Sequence, residues 1–174
     1  MAHVVFLRAA NVGGRNVFRP AQLAASLKHL DVVNVGAAGT FVVRGKASAA
    51  AIRKEILAQI PFELEIVVCP GKQILELIAS EPFRGVALSK DQRGWVAALS
   101  GKPKSSSALP ASAPKGKDWC VRIDRVDGGF ALGMWRRSPK GFVYPSDFLE
   151  KTLGVSATTR GWETLLRIAK ILEA

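Results

Sequence analysis

His-Val-Val-Phe-Leu-Arg-Ala, residues 3–9, is a short run of apolar and β-branched residues that ends at a glycine-containing loop. Such a run is typical of a buried β-strand. A helix is predicted next, from Pro20 to Leu30. Proline suits the first turn of a helix, and Leu23, Leu27 and Leu30 fall on one helical face.

The elements after this helix complete a βαββαβ order. Strands are predicted at residues 31–35 and 40–44, a helix between Ser48 and Pro61, and a strand at 64–69. This is the order of a ferredoxin-like split unit, in which two helices cover one face of a four-stranded antiparallel sheet. The sequence therefore predicts an α+β fold whose N-terminal half, residues 1–80, is a ferredoxin-like subdomain.

The remainder, residues 81–174, predicts a smaller mixed α/β subdomain. Its strands are expected at residues 95–99, 119–123 and 130–135. Between the first two, residues 100–117 are rich in Ser, Pro, Gly and Lys and have no periodicity, which predicts a mobile basic surface loop.

Two helices are predicted to close the chain. Ser146 or Asp147 would cap the first, which ends at Gly154, and Thr158 or Thr159 would cap the second.

The chain is strongly basic. Its 174 residues include 25 Lys and Arg against 14 Asp and Glu, a net charge of +11. Residues 84–140 hold twelve basic and four acidic side chains, whereas 141–174 hold four of each. An excess of this kind favours contact with a polyanion such as nucleic acid, or with phosphorylated ligands. The alternative is a surface charge that serves solubility alone.

The sequence also limits location and chemistry. The apolar run 3–7 stops at Arg8, so no signal peptide is predicted, and no run approaches the ~20 apolar residues of a membrane span. Cys69 and Cys120 lie in apolar runs without a C-x-x-C motif, which predicts small buried side chains. We therefore expect a cytoplasmic protein with no metal and no cofactor. Catalytic motifs are missing from the sequence, so whether the chain is an enzyme stays open.

The loop after the first strand is a candidate anion site. Glycines Gly13 and Gly14 allow consecutive backbone N–H groups to converge, and Arg15 adds positive charge before the first helix. The standard phosphate-loop motifs are missing here. The alternative is a tight turn that requires glycine.

A second candidate anion site precedes the last helix. Hydroxyl and N–H groups of Thr158 and Thr159 at a helix N-terminus can accept an anion, with Arg160 alongside. The alternative is simple helix capping, with Trp162 packed in the core.

A third candidate site lies in the basic stretch. Basic residues interleaved with aromatics on a sheet face are a common arrangement for holding single-stranded nucleic acid. The candidate residues are Trp119, Trp135, Arg136, Arg137 and Lys140. Alternatively, the tryptophans are core residues.

Two motifs carry a family resemblance. Residues 6–16, Phe-Leu-Arg-Ala-Ala-Asn-Val-Gly-Gly-Arg-Asn, and residues 153–164, Leu-Gly-Val-Ser-Ala-Thr-Thr-Arg-Gly-Trp-Glu-Thr, resemble the opening and closing motifs of the domain of unknown function 1697 family. Members typically carry Leu-Arg-Gly-Ile-Asn-Val-Gly-Gly-Lys-Asn near the start and Leu-Gly-Val-x-Ala-Thr-Thr-Arg-Asn-Trp-Asn-Thr near the end. If the two end motifs meet, as the resemblance implies, Arg8, Asn11 and Arg160 would converge.

The chain departs from the family pattern at several places, and one of them is a polar motif. Residues 37–40 are Ala-Ala-Gly-Thr where members usually carry Gln-Ser-Gly-Asn, so two polar side chains are missing. If those groups form a family site, this chain has altered it. The resemblance brings no activity with it.

The sequence thus favours binding of an anionic partner, and nucleic acid over a small anion. One alternative is an enzyme or small-ligand protein that acts on a phosphorylated or carboxylated compound in a cleft between the halves. Another is a protein-interaction module with open sheet edges.

Overall fold

The computed structural model describes residues 1–11, 13–105, 108–139 and 141–174. Within these ranges the chain is an α+β protein with two antiparallel sheets and five α-helices, which confirms the predicted class. It divides into two compact units, Met1–Ser80 with Thr164–Ala174, and Glu81–Glu163. The sequence-based division placed all of 81–174 in one part.

The strands are β1 to β9, and their bounds are His3–Leu7, Val32–Asn34, Thr40–Val43, Ile66–Pro70, Gln92–Leu99, Ala111–Ala113, Val121–Asp127, Phe130–Arg136 and Ala157–Gly161. The helices are α1 to α5, and their bounds are Pro20–Ser26, Ala49–Ala58, Gly71–Ala79, Pro145–Leu153 and Trp162–Glu173.

The sheet of the first unit has the order β2-β3-β1-β4, with antiparallel neighbours throughout. Val5 and Leu7 of β1 lie in one buried cluster with Phe41 of β3 and with Ile52 and Ile56 of α2. Val4 and Phe6 point to the opposite face and are buried as well. Burial on both faces explains why β1 is a nearly continuous apolar run instead of an alternating one.

The first helix is shorter than predicted. It ends at Ser26, and Lys28–Leu30 form one 3-10 turn that Asp31 closes in the left-handed conformation, with φ 49°. The Asp31 N–H donates to the Lys28 carbonyl at 2.9 Å. The tight turn lets the chain reverse into β2 at once while Leu30 stays buried.

The sheet of the second unit has the order β6-β7-β8-β5-β9, again antiparallel. Helix α4 covers one face of it. Leu149 and Leu153 of this helix share a buried cluster with Trp95, Ile123 and Ala157 from three strands. Trp95 is therefore a core residue.

Three sequence-based expectations are wrong in this unit. The stretch 100–117 is not irregular throughout, because Ala111–Ala113 pair with 121–123 at the edge of β7. The first of the two closing helices starts at Pro145 after Tyr144, so neither Ser146 nor Asp147 is its cap. Thr158 and Thr159 do not cap the last helix, since they lie in β9, whose β-branched side chains suit the pairing with β5.

Candidate functional site

The loop after β1 is braced by Asn11. Its side-chain amide donates to the carbonyl of Ala37 at 2.8 Å, and its side-chain oxygen accepts from the N–H of Phe18 at 2.9 Å. Asn11 itself has a positive φ of 55°, a conformation that asparagine tolerates better than most residues. The side chain thus ties the loop to the β2–β3 hairpin, and both of its polar atoms are engaged in doing so.

The glycines of this loop face open space. A Cβ added at Gly13 or Gly14 would meet no atom within 4 Å, and both glycines have positive φ, 58° and 72°. Arg15 is exposed, and Arg8 pairs with Glu65 at 3.4 Å. These positions favour the turn interpretation of the glycines. The anion-binding role of the loop remains a prediction.

We expect Asn11→Ala to lower the free energy of unfolding by about 2–3 kcal/mol. The variant loses two hydrogen bonds, each worth about 1 kcal/mol, and places alanine in the left-handed region. Urea unfolding followed by circular dichroism measures the change. Asn11→Asp keeps the acceptor for Phe18 and should cost about half as much. Equal stability of the alanine variant and the parent would contradict the bracing role.

Arg160 is buried in β9 of the second unit, opposite Val96 of β5. Its Nη1 donates to Thr158 Oγ1 at 3.0 Å and to the Thr159 carbonyl at 2.8 Å. Burial lowers the pKa of the Arg160 guanidinium to about 10, so the group stays charged at neutral pH. The Thr159 hydroxyl lies 2.7 Å from Ser146 Oγ of α4.

The second anion site was predicted at a helix N-terminus, and that premise is wrong. Thr159 and Arg160 belong to a strand, and the helix begins only at Trp162. Arg8 and Asn11 belong to the first unit and Arg160 to the second. Their convergence therefore stays a prediction from the family resemblance.

Trp119 and Arg136 engage each other. The Arg136 guanidinium lies over the Trp119 ring at 4.0 Å from its centroid, and that of Arg122 lies at 4.8 Å. Arg136 also donates to the backbone carbonyls of Trp119 and Lys117. These contacts fasten the segment before β7 to the end of β8, which is a structural role for two of the nucleic-acid candidates.

Trp135 is partly buried against the hydrophobic core of the second unit and also contacts aromatic rings at its surface. Its ring lies 5.9 Å from that of Phe142, and Phe142 meets Tyr144 edge-to-face at 4.8 Å. Phe142 is 54% and Tyr144 61% exposed. We call Trp135, Phe142 and Tyr144 the aromatic patch. The Trp135 indole N–H is buried and has no hydrogen-bond partner among the residues described.

Two arginines border the aromatic patch. Arg93 of β5 is directly opposite Trp135 of β8, is exposed, and has no ion-pair partner in the described part of the chain. Arg137 is exposed and pairs with Asp91 at 3.5 Å. Lys140, the remaining candidate, lies outside the described residues.

The sequence analysis missed Arg93, Phe142 and Tyr144. Phe142 and Tyr144 stand in an irregular segment, where hydrophobic periodicity gives no information. The usable signal was compositional, since Phe-Val-Tyr follows an Arg-Arg pair within a few residues. Arg93 becomes a candidate only through its register with Trp135.

The described residues give little support to thiol catalysis, metal binding or a membrane span. Burial raises the pKa of the Cys69 thiol to about 12, so this thiol stays protonated and is a poor nucleophile. In the ranges that the structure covers, no group of three His, Cys, Asp or Glu side chains is placed to hold a metal ion. The described helices include none with the length and hydrophobicity to cross a bilayer.

The helices and the two antiparallel sheets define an α+β protein. The model of the family "Protein of unknown function (DUF1697)" matches residues 1–126, and the chain belongs to that family. A solved structure, the conserved bacterial protein SP0830 from Streptococcus pneumoniae, is similar with a TM-score of 0.61 and 16% sequence identity, over 98% of each chain. At this identity the likeness concerns the fold alone. No curated protein matches the chain.

Proposed function

We propose that this protein binds single-stranded nucleic acid through the aromatic patch of its second unit. The observation that carries the proposal is the exposure of two adjoining aromatic rings, 54% for Phe142 and 61% for Tyr144. Single exposed apolar side chains are ordinary, but clustered ones mark interaction sites. Every base has a π-face, so exposed rings bind bases by stacking without requiring a particular sequence.

Charge favours a polyanion over an apolar partner at this surface. Arg93, which pairs in register with Trp135, is exposed and has no carboxylate partner among the described residues, so its charge is available to a phosphate. Arg137 is held by only one exposed carboxylate, Asp91, in a surface pair that a phosphate can displace at small cost. The second unit as a whole carries fourteen basic and eight acidic side chains.

We also propose that residues 1–80 have a ferredoxin-like fold and that the protein is located in the cytoplasm. The strand order β2-β3-β1-β4, with α1 and α2 between the strands, supports a ferredoxin-like arrangement of residues 1–80. The free thiols of Cys69 and Cys120 support the cytoplasm, where thiols stay reduced.

The test is fluorescence anisotropy with labelled single-stranded DNA, single-stranded RNA and duplex DNA over a salt series. We expect the single strands to bind more tightly than the duplex. Phe142→Ala and Tyr144→Ala should each weaken single-strand binding by about 5- to 150-fold, the equivalent of about 1–3 kcal/mol per stacked base. Both side chains are exposed, so the variants should fold normally.

Two control variants sharpen the test. Tyr144→Phe keeps the ring and should bind like the parent. Arg15→Gln removes one charge from the glycine loop of the first unit and should have little effect. Absence of binding at low salt would overturn the proposal. Loss of binding in Arg15→Gln, with the alanine variants unaffected, would instead favour an anion site at the loop.

A further inference from the structure

Strand β4 is an edge strand of the first sheet, since the order β2-β3-β1-β4 gives it a paired neighbour on one side only among the described residues. It pairs with β1 over all five of its residues without a bulge. The segment Ile66-Val67-Val68-Cys69 carries no charge, and Val67 and Val68 are only partly buried. A regular, apolar edge strand is a template for pairing with a strand of another chain.

The backbone groups of β4 alternate in direction along the strand. The Arg8 N–H donates to the carbonyl of Glu65, the residue before β4, at 2.9 Å. Hydrogen-bonded and non-hydrogen-bonded pairs alternate in an antiparallel ladder, so positions 67 and 69 also bond to β1. The N–H and C=O groups of Ile66 and Val68 therefore point away from β1, and they have no hydrogen-bond partner among the described residues.

The other edge strands, β2, β6 and β9, are protected. At β9 the Glu150 carboxylate accepts from the Ala157 N–H at 3.3 Å, and Arg160 donates to the Thr159 carbonyl at 2.8 Å. Strand β6 has three residues and lies between two prolines, and β2 is equally short. Short strands, prolines and side chains that occupy the backbone groups all oppose edge-to-edge pairing. Within the described ranges, β4 is the edge strand that lacks such protection along its first four residues.

A second copy of the chain fits the open edge of β4. When two β4 strands pair antiparallel about a twofold axis at Val67, Ile66 of each copy lies opposite Val68 of the other. The two outward N–H groups of each copy then donate to the two outward carbonyls of the other, four hydrogen bonds in all, and the two Val67 side chains meet across the axis. An axis at Val68 instead would place Pro70, which has no N–H, opposite Ile66 and would leave a carbonyl unpaired.

Charge favours the antiparallel pairing over a parallel one. Glu63 and Glu65 are exposed just before β4, and Lys72 is exposed just after it. An antiparallel pair places the acidic start of each strand beside the Lys72 end of the other, whereas a parallel pair would align the carboxylates of the two copies. Lys72 pairs with Glu76 of its own helix at 3.3 Å, but an exposed pair of this kind is weak, so Lys72 can change partner.

We propose that the protein forms a twofold homodimer through β4, in which two four-stranded sheets become one antiparallel sheet of eight strands. The interaction surface is the outer edge of β4, and the partner is a second copy of this chain. Because the contact is short, we expect a weak dimer with a Kd in the micromolar range. The dimer forms without nucleic acid, and the aromatic patch lies in the other unit, so neither proposal depends on the other.

Sedimentation velocity over a concentration series tests the dimer. The parent protein should shift from monomer to dimer as its concentration rises through the micromolar range. Val68→Pro removes an N–H that bonds to no strand of its own chain, so the variant should keep the fold while the dimer loses two of its four interchain hydrogen bonds. Its Kd should rise by about tenfold or more. A parent protein that stays monomeric up to about 0.5 mM would overturn the proposal.

A cysteine at the twofold axis tests the register. Directly opposite residues of a non-hydrogen-bonded antiparallel pair have Cα atoms about 4.5 Å apart, which is within the range of a disulfide. Val67→Cys should therefore form disulfide-linked dimers in oxidised glutathione, detected on a non-reducing gel. The parent gives the background of the buried Cys69 and Cys120, and Ser112→Cys on the protected strand β6 is the matched control. Equal cross-linking of the two cysteine variants, or a Val68→Pro variant that dimerises as well as the parent, would overturn the pairing through β4.

Discussion

Gly133→Ala is expected to destabilise the protein by about 3 kcal/mol or more. Gly133 lies in β8 at the centre of the second sheet, where the indole of Trp95 covers it. A Cβ added there would overlap both the Trp95 ring and the backbone carbonyl of Arg122 on β7. Neither neighbour has room to move, since Trp95 is buried and the carbonyl belongs to the adjacent strand, so the sheet itself must distort.

Gly129→Ala is the matched control for this variant. Gly129 lies in the hairpin between β7 and β8, and an added Cβ would meet no atom within 4 Å. The free energy of unfolding of the Gly129→Ala variant should stay within about 0.5 kcal/mol of that of the parent. Thermal or urea unfolding compares the three proteins, and a Gly133→Ala variant as stable as Gly129→Ala would contradict the close approach of Trp95.

Gly39→Ala is expected to cost about 2–4 kcal/mol. Gly39 precedes β3 with a positive φ of 70°, and an added Cβ would lie 2.8 Å from the Leu7 Cβ and 3.1 Å from the Ala10 Cβ. Two effects therefore add, namely the left-handed conformation at about 1–2 kcal/mol and the crowding against β1. This glycine stands in the 37–40 segment that has lost two polar residues relative to the family pattern.

Gly14→Ala separates the two effects. Gly14 has nearly the same φ, 72°, but open space around its Cβ position, so the substitution should cost only the conformational part. The difference between the two variants in urea unfolding then measures the packing of Gly39 against Leu7 and Ala10. Equal losses in both variants would mean that the hairpin yields to an added methyl group.

Local pattern predicted the first sheet well because its strands are buried. The run at 3–9 has branched apolar residues on both faces, and only a covered strand accommodates them. The second helix was also predicted to begin next to Ser48, and Ser48 caps it, because its Oγ accepts from the Ala51 N–H at 3.2 Å. Both features depend on residues that are neighbours in sequence or alternate along it.

Where the sequence-based secondary structure was wrong, pairing with a strand distant in sequence determines the conformation of the segment. Thr158 and Thr159 fit a helix cap as well as a strand, and only the partner strand β5 selects the strand. Ala-Ser-Ala at 111–113 has no strand signature, and it pairs because β7 presents an open edge to it. No local period contains that information.

The candidate site was predictable only in part, because local composition identifies some of its residues and tertiary contacts bring in the others. Trp135 and Arg137 were found because they lie in an aromatic and basic stretch. Trp119 and Arg136 share that composition, but their side chains are used in holding each other. Phe142 and Tyr144 come from an irregular segment, and their place beside Trp135 follows from tertiary contact.

The division of the chain has a consequence for its synthesis on the ribosome. The first unit consists of residues 1–80 and 164–174, so its last helical turns, with the buried Leu165 and Ile168, are translated after the second unit. The second unit is continuous in sequence and is completed earlier. The buried cluster of the first sheet draws only on residues from Val5 to Ile66, so this sheet can fold before the second unit is translated, and the C-terminal helix joins the first unit only after the second unit is complete.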